Sequence, residues 1–404
     1  MKTYVYVLNK DGRPLMPTSP AKARRLLKDG KAKVVKRTPF TIQLIYGSYG
    51  YTQKVTLGVD TGYKNVGLSA LSEKEELFVS EVTLRTDVSK KLTERRQYRK
   101  TRRSRLWYRK PRFLNRVKTK KAGWFAPSVE HRLNEHIKAV ELVNFILPVS
   151  QINVETAAFD IQKIKNPEIS GIEYQNGEQK DFWNIREYVL YRDNHTCSAC
   201  NGKSKDKILN VHHLKSCSEK GTDRPDNLLT LCETCHKGYH SGKIKLGKVK
   251  PSKEFKAETF MGMVRWKLVK SLRAMGYAVS HTYGYITKSA RLALKLTKSH
   301  VNDAFCIAEG DELRERADVL AGTFTRRNNR SLQTNRKGYK PSIRRKRYVF
   351  QPKDLVVFAG NIYIVKGIQN LGKYIKLSGL KKPVKTDMVS LIKYGRGLQF
   401  IPAL

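Results

Sequence analysis

Four cysteines fall in two C-x-x-C pairs, Cys197/Cys200 and Cys232/Cys235. Each pair can put two thiolates on one ion, and four thiolates around a tetrahedral Zn²⁺ make a closed structural site. Between the pairs stands His212-His213, at the end of an apolar, strand-like run over 208–211. Asn227 follows in a turn-rich loop, and His236 comes directly after the last cysteine of the second pair. A double C-x-x-C by itself reads as a zinc ribbon that only binds. The histidine pair, the asparagine and the trailing histidine add groups able to take a proton or hold a second cation.

A second set of chemical groups is scattered further apart. The run VTLGVD carries a strand into Asp60, Thr61-Gly62 turns the chain, and 66–71 returns as the other half of a hairpin. A helical apolar pattern over 129–146, with Leu133, Ile137, Val140 and Val143 on one side, stops before Pro148. The strand INVE then ends on Glu155. In TKSHVNDAFCIA, His300 and Asp303 stand at i, i+3 of a helix and point the same way, beside a packing face of Ala304, Ile307 and Ala308. Each has a plainer reading: Asp-x-Gly as an ordinary turn, a strand-end Glu at the surface, a helical His and Asp facing solvent.

Composition decides what such groups would act on. The 404 residues hold 80 Lys and Arg against 35 Asp and Glu, a net charge of +45. That excess is foreign to an ordinary soluble enzyme and fits a polyanion bound over a long track, nucleic acid before a membrane surface. Residues 89–121 concentrate it, with Glu94 the one acid in the block. Arg95, Arg99, Arg102 and Arg103 recur at helical spacing, with Arg109 further on and Pro111 to end the helix. A solvated helix mixes charge signs, whereas like charges at i, i+4 call for an anion. This helix is therefore expected to clamp nucleic acid. A second basic stretch occupies 323–348. Cys217 and Cys306 belong to neither pair, which points to a reducing compartment. The N-terminal apolar run is too short for a signal peptide, no run is long enough to span a bilayer, and no fixed-period repeat is present.

The remaining elements frame these groups. Residues 1–54 read as a small module: a strand over 3–8, a turn-rich segment containing Pro14-Leu15-Met16-Pro17, a helix from Ser19-Pro20 to Gly30, and strands at 34–35 and 40–46. Pro167, Gly171 and Gly177 punctuate a linker over 160–194, and 241–254 is a basic linker out of the cysteine-histidine region. A helix over 261–275 and a strand over 278–283 follow. Residues 349–404 alternate apolar and polar, as in a small antiparallel barrel or sheet.

The order His-His, Asn, C-x-x-C-His resembles an HNH nuclease with a zinc-stapled ββα-metal fold. The resemblance implies His213 as general base, His212 and His236 as ligands of a catalytic Mg²⁺, and Asn227 as the group orienting the His213 ring. Strand-Asp, strand-Glu and helical His-x-x-Asp resemble an RNase H-like nuclease of the RuvC type, split in three. An arginine-rich helix after the first part and an HNH module between the second and third is the layout of CRISPR type II effectors. The short length and the PLMP segment are similar to their transposon-encoded relatives, the IscB family.

The implied fold is α/β: a mixed RuvC sheet in three parts, an inserted HNH domain, an arginine-rich bridge helix and a small C-terminal β domain. The implied bounds are 1–54 for the PLMP module, 55–88, 122–165 and 255–320 for the three RuvC parts, and 89–121 for the bridge helix. The HNH nuclease takes 180–242 and the C-terminal segment 323–404. Asp60, Glu155 and Asp303 would hold Mg²⁺, with His300 assisting as base. The HNH site would cut the strand paired to a guide and the other site the displaced strand. The C-terminal domain would read a short flanking motif.

The implied partners are a structured guide RNA and a double-stranded DNA target, bound by one copy of the chain in a prokaryotic, nucleoid-associated cytoplasmic particle with no membrane. The large helical lobe of CRISPR effectors has no counterpart here, which leaves its role to the RNA. A protein-only HNH homing endonuclease or resolvase, and a non-catalytic zinc protein that binds RNA, are the competing readings.

Overall fold

A computed structural model of the chain describes residues 4–48, 50–104, 123–156, 182, 184–204, 206–216, 223–246, 256–326 and 348–402. Arg109, Cys217, the linker residues 160–181 and the basic residues 327–347 lie outside them. The chain forms two compact units, residues 1–158 with 260–404 and residues 159–259.

The N-terminal module is a four-stranded sheet with one helix. Strands β1 (Val5–Leu8) and β2 (Pro14–Thr18) precede helix α1 (Pro20–Lys28), and β3 (Ala32–Lys36) and β4 (Thr41–Leu44) follow it. The helix starts where the capping residues foretell: the Ser19 hydroxyl accepts from the Lys22 amide, and Pro20 opens the first turn. The PLMP segment departs from expectation. It is strand β2 rather than a turn, antiparallel to β1 with Pro14 opposite Leu8. The turn lies just before it, where Asn9 closes onto Arg13 and Gly12 has φ +85°. Two prolines are tolerated because β2 is at the edge of the order β2-β1-β4-β3, where half the backbone donors need no ladder partner.

The main sheet begins with the hairpin β5 (Val55–Asp60) and β6 (Asn65–Leu71), then β7 (Glu76–Thr83). Helix α2 (Val88–Ser104) carries the arginines and has no buried residue. Helix α3 (Pro127–Ile146) buries Leu133, Ile137, Val140, Val143 and Ile146 against the sheet, and β8 (Val149–Glu155) follows Pro148. Burial of side chains of this size stabilises by about 1.5–3 kcal/mol each.

The second unit is small. Helix α4 (Ile185–Arg192) precedes the antiparallel pair β9 (Leu209–His213) and β10 (Leu228–Cys232), and helix α5 (Glu233–His240) follows β10 directly. Its core is made of Cys197, Cys232, Cys235, Leu229 and Leu231.

The chain then returns to the first unit through helix α6 (Lys256–Ala274), β11 (Val279–Thr282), α7 (Gly284–Ala293), α8 (His300–Ile307) and β12 (Leu320–Thr325). Strands β13 (Leu355–Phe358), β14 (Asn361–Gln369), β15 (Tyr374–Leu377), β16 (Val384–Lys385) and β17 (Ser390–Lys393) form a separate five-stranded antiparallel sheet. The final strand, β18 (Gly397–Pro402), leaves that sheet and pairs antiparallel with β12.

The main sheet therefore runs β11-β8-β5-β6-β7-β12-β18 and is mixed. Its strands come from three separated stretches of chain, with β5, β6, β7 and β8 at the centre and β11 at the edge. Strands β12 and β18 extend it beyond the expected bounds of 55–88, 122–165 and 255–320.

Candidate active sites

Asp60 and Glu155 are brought together by strand pairing. β5 and β8 are parallel, with Val59 opposite Val154, so both acids sit at the same ends of neighbouring strands. The Thr61 hydroxyl donates to the Glu155 carbonyl at 2.8 Å and ties the two strand ends together. The loop after Asp60 is held by α3. His136, fully buried, has Nε2 at 3.1 Å from the Gly62 carbonyl and Nδ1 at 2.8 Å from the Arg132 carbonyl, and the Arg132 guanidinium lies 3.8 Å over the Tyr63 ring.

Helix α8 delivers the other two groups. It lies directly on the sheet because Gly58 and Gly67 leave it room: a Cβ at Gly67 would fall 1.9 Å from the His300 carbonyl oxygen, and one at Gly58 would fall 2.0 Å from that of Ala304. At the other end Asn153 donates to the Ile307 carbonyl at 3.1 Å. Arg316 donates to the buried Glu76 carboxylate at 2.8 Å and lies 4.0 Å over the Phe305 ring, clamping α8 to β7. With the helix seated, His300 Nδ1 is 2.6 Å from an Asp60 carboxylate oxygen.

Arg291 on α7 is 2.7 Å from Asp303. The buried Thr287 hydroxyl lies beside Glu155 and acts to lower its carboxyl.

The four groups feel one another. Burial pushes the Glu155 carboxyl above the usual carboxylate range, and the charges of Asp60 and Asp303 push it further. Burial and then Asp60 raise Asp303. The hydrogen bond that His300 donates to the Asp60 carboxylate raises His300. Acids within reach of one another's charge favour a cation, and oxygen donors suit Mg²⁺, but the three carboxylates do not form a set with ligand atoms within 4.8 Å of one another, as the cysteines and imidazoles of the second unit do. Arg291, which the sequence reading did not single out, supplies the counter-charge to Asp303.

In the second unit the four cysteine sulfurs lie within 4.8 Å of one another, with Cys200 and Cys232 at 3.9 Å. Zn–S bonds of about 2.3 Å imply sulfur–sulfur edges of about 3.8 Å in a tetrahedron, so the four fit a zinc ion. Cys232 is also the residue from which α5 starts, and this is how the staple fixes the helix carrying His236.

His212 on β9 meets His236 and His240 on α5, with ligand nitrogens within 4.8 Å of one another. His212 is buried, and burial together with its imidazole neighbours holds it down to about 4. Burial lowers His236 as well. Neutral imidazoles are the form that binds metal. His240 escaped the sequence reading, although its i, i+4 spacing from His236 was the available signal. Three imidazoles suit a first-row transition-metal dication better than Mg²⁺, so the donor set departs from the Mg²⁺ expected at this site.

His213 points elsewhere. Its Nε2 lies 2.9 Å from Asp223, not against Asn227. The Asn227 side chain instead brackets the Lys215 backbone, accepting from its amide and donating to its carbonyl at 3.0 Å each, while the Asn227 carbonyl accepts from the Leu214 amide. Asn227 thus fixes the chain leaving β9, and Asp223 is the group that reaches the ring. No spacing rule marks Asp223, which stands in an irregular loop.

The arginines of α2 form the candidate nucleic-acid surface. Arg95, Arg99 and Arg102 are exposed along one face and Arg103 is half-buried beside them. A basic cavity of about 540 Å³ elsewhere on the first unit is lined by Arg85, His131, Lys138, Arg326 and Arg396, and none of Asp60, Glu155 and Asp303 opens into it. No described helix is long and apolar enough to cross a membrane.

Comparison with known proteins bears on both units. Residues 5–177 match the family described as RRXRR protein, and residues 197–242 match the HNH endonuclease family. Anaredoxin of Nostoc sp. (strain PCC 7120 / SAG 25.82 / UTEX 2576) is 37% identical over 68 residues, covering 17% of this chain and 78% of that protein. Among solved structures, Streptococcus thermophilus Cas9 in complex with the GGAA PAM aligns with a TM-score of 0.35 at 12% identity, over 52% of this chain and 29% of that one. The Type II-C Cas9 enzyme from Actinomyces naeslundii aligns with a TM-score of 0.25 at 12% identity, over 65% of this chain and 60% of that one. The chain thus spans less than a third of the Streptococcus thermophilus chain.

Proposed function

We propose, from the premise that this chain carries an HNH endonuclease domain, that it is an RNA-guided DNA endonuclease with two cutting sites. The observation that carries the reading is the meeting of Asp60, Glu155, His300 and Asp303, drawn from three separated stretches, at one end of the main sheet. A binding protein has no need to gather three acids, one buried and two half-buried, within reach of one another's charge in a chain of net charge +45. The arginine face of α2 and the charge excess support a nucleic-acid partner of considerable length.

In the imidazole site, Asp223 accepts from His213 Nε2 and leaves Nδ1 to take a proton from the attacking water. His212, His236 and His240 would hold a divalent cation that takes up charge on the scissile phosphate. In the sheet site, Asp60, Glu155 and Asp303 would hold Mg²⁺, and His300, kept protonatable by Asp60, would pass a proton at Nε2. The cysteine zinc is structural. The imidazole site is assigned the guide-paired strand and the sheet site the displaced strand, with a structured RNA supplying the guide and the C-terminal sheet reading the flanking motif. The RuvC-type and IscB-like character of the chain is part of this proposal, as is its place in a monomeric ribonucleoprotein in a prokaryotic cytoplasm.

Strand-specific labelling tests it. Asp60→Ala and His213→Ala should each leave a nick, on opposite strands, and together abolish cutting. Double-strand breaks from both single variants would refute the site assignments. Cutting that survives complete removal of RNA would refute guidance.

A further inference from the structure

An exposed row of aromatic rings leads to the carboxylate site. Trp266 on α6 lies 5.1 Å from His281, ring centre to ring centre. His281 lies 5.6 Å from Tyr283, and Tyr283 stacks on Tyr285 at 6.1 Å with planes only 7° apart. His281 and Tyr283 are two residues apart at the end of β11, so they share a face. The Tyr283 hydroxyl comes within 3.5 Å of His281 Nε2.

The row is open to solvent. Trp266 is 41% exposed, Tyr283 39% and Tyr285 71%. β11 is the outer strand of the sheet order. Apolar surface of this kind is costly in water, and none of these rings contributes to the core.

The row ends at the chemistry. Gly284, between the two tyrosines, is so close to Glu155 that a Cβ there would sit 3.2 Å from its carboxylate oxygen. Lys267 and Lys270 share α6 with Trp266, and Lys288 follows Tyr285 by three residues on α7; all three are exposed and able to meet phosphates. Ring faces can take only bases whose own faces are uncovered, because in a duplex each base is already stacked between its neighbours. Exposed aromatics beside lysines are the apparatus of single-strand binding.

We infer that Trp266, His281, Tyr283 and Tyr285 form a stacking platform for an unpaired polynucleotide strand, which reaches the carboxylate site past Gly284. This rests on the reading of that site as a nuclease acting on the displaced strand and assigns the residues that hold that strand. The tyrosines nearest Glu155 hold the bases beside the site, and Trp266 holds the strand further out.

The test uses the full chain with its co-purified RNA. In an Asp60→Ala, His213→Ala background, a short single-stranded DNA carrying one 2-aminopurine should lose fluorescence on binding as the base stacks. Tyr285→Ala and Tyr283→Ala should remove the quenching and weaken binding about tenfold per ring, and Tyr285→Phe should restore both. The same probe in a duplex should show no Tyr285-dependent change. In the otherwise unaltered chain, Tyr285→Ala should raise KM for Asp60-dependent cutting of a single strand about tenfold with kcat little changed, and leave His213-dependent cutting alone. Quenching and KM unaltered by the alanine variants, or an equal effect on duplex, would overturn the platform. Absence of any Asp60-dependent cutting in the wild-type chain would instead refute the nuclease reading of the site, while the fluorescence still decides the platform.

Discussion

Replacing Gly67 with alanine tests whether the seat of α8 governs the sheet site. The added methyl would fall 1.9 Å from the His300 carbonyl oxygen and 2.5 Å from its carbon. Both are backbone atoms, so no side-chain rotation relieves the clash. Restoring ordinary contact near 3.4 Å lifts the start of the helix by about 1.5 Å, and a displacement of about 1 Å in a catalytic group costs about 10²-fold in rate. His300 and Asp303 ride on that segment, and the 2.6 Å contact of His300 with Asp60 would be lost. Overpacking of this kind also costs about 1–3 kcal/mol of stability. The assay follows each strand of a labelled duplex separately, with urea unfolding in parallel. Cutting assigned to Asp60 should fall about 10²-fold, while cutting assigned to His213 stays at the wild-type rate because that site is built within the other unit. Gly262→Ala, where a Cβ meets nothing within 4 Å, is the control and should change neither. A folded Gly67→Ala chain that cuts both strands at full rate would refute the argument that α8 must touch the sheet.

Other substitutions probe the remaining supports. Arg316→Met leaves the fully buried Glu76 carboxylate without its cation and should lower the unfolding free energy by about 3 kcal/mol in urea titration, the low end for a buried pair because Arg316 is partly exposed. Zinc chelation, or Cys197→Ser, should open the second unit to protease and abolish His213-dependent cutting, while Asp60-dependent cutting continues with Mg²⁺ resupplied. His240→Ala should raise the metal concentration needed for half-maximal His213-dependent cutting by more than about tenfold, and Mn²⁺ or Ni²⁺ should serve that site at lower concentration than Mg²⁺. Replacing Arg95, Arg99 and Arg102 together with alanine should reduce the slope of log affinity against log salt by about 3, measured on a duplex of unrelated sequence.

The parts of this fold legible in the sequence are those whose signal is local. Ser19-Pro20 and Gly30 delimit α1, Pro148 separates α3 from β8, and the apolar run into Asp60 is β5 as its pattern requires. The cysteine spacing marks the candidate zinc site because two thiolates three residues apart can both reach one ion. What escaped depends on partners far along the chain. β18 reads as one more strand of the C-terminal sheet, and only β12, itself paired to β7, draws it away. The PLMP residues look like a turn until β1 is available to pair with them. Arg291 and Asp223 carry no pattern at all: each matters only because a fold places it within 3 Å of Asp303 or His213. His240 is the instructive case, since its i, i+4 partner His236 stood in view and only the approach of His212 from strand β9 makes the pair a triad.

The two clusters place opposite demands on the chain. The sheet site gathers like charges in a half-buried place, an arrangement that repels itself whenever no cation is bound. It persists because α8 is over-determined: Gly58 and Gly67 admit it, Asn153 holds its end, Arg316 pins its flank to Glu76, and His136 steadies the loop beside Asp60. Those restraints come from β5, β6, β7, β8 and α3 together, so the site needs nearly the whole sheet. The imidazole site has no such burden. Burial holds His212 and His236 toward the neutral form, and one antiparallel strand pair and two turns of helix suffice to bring the ligands together, provided the cysteines hold the helix start. Global destabilisation should therefore cost the sheet site first, and loss of zinc the imidazole site first. That order of failure follows from where the charges are, independently of which strand each site cuts.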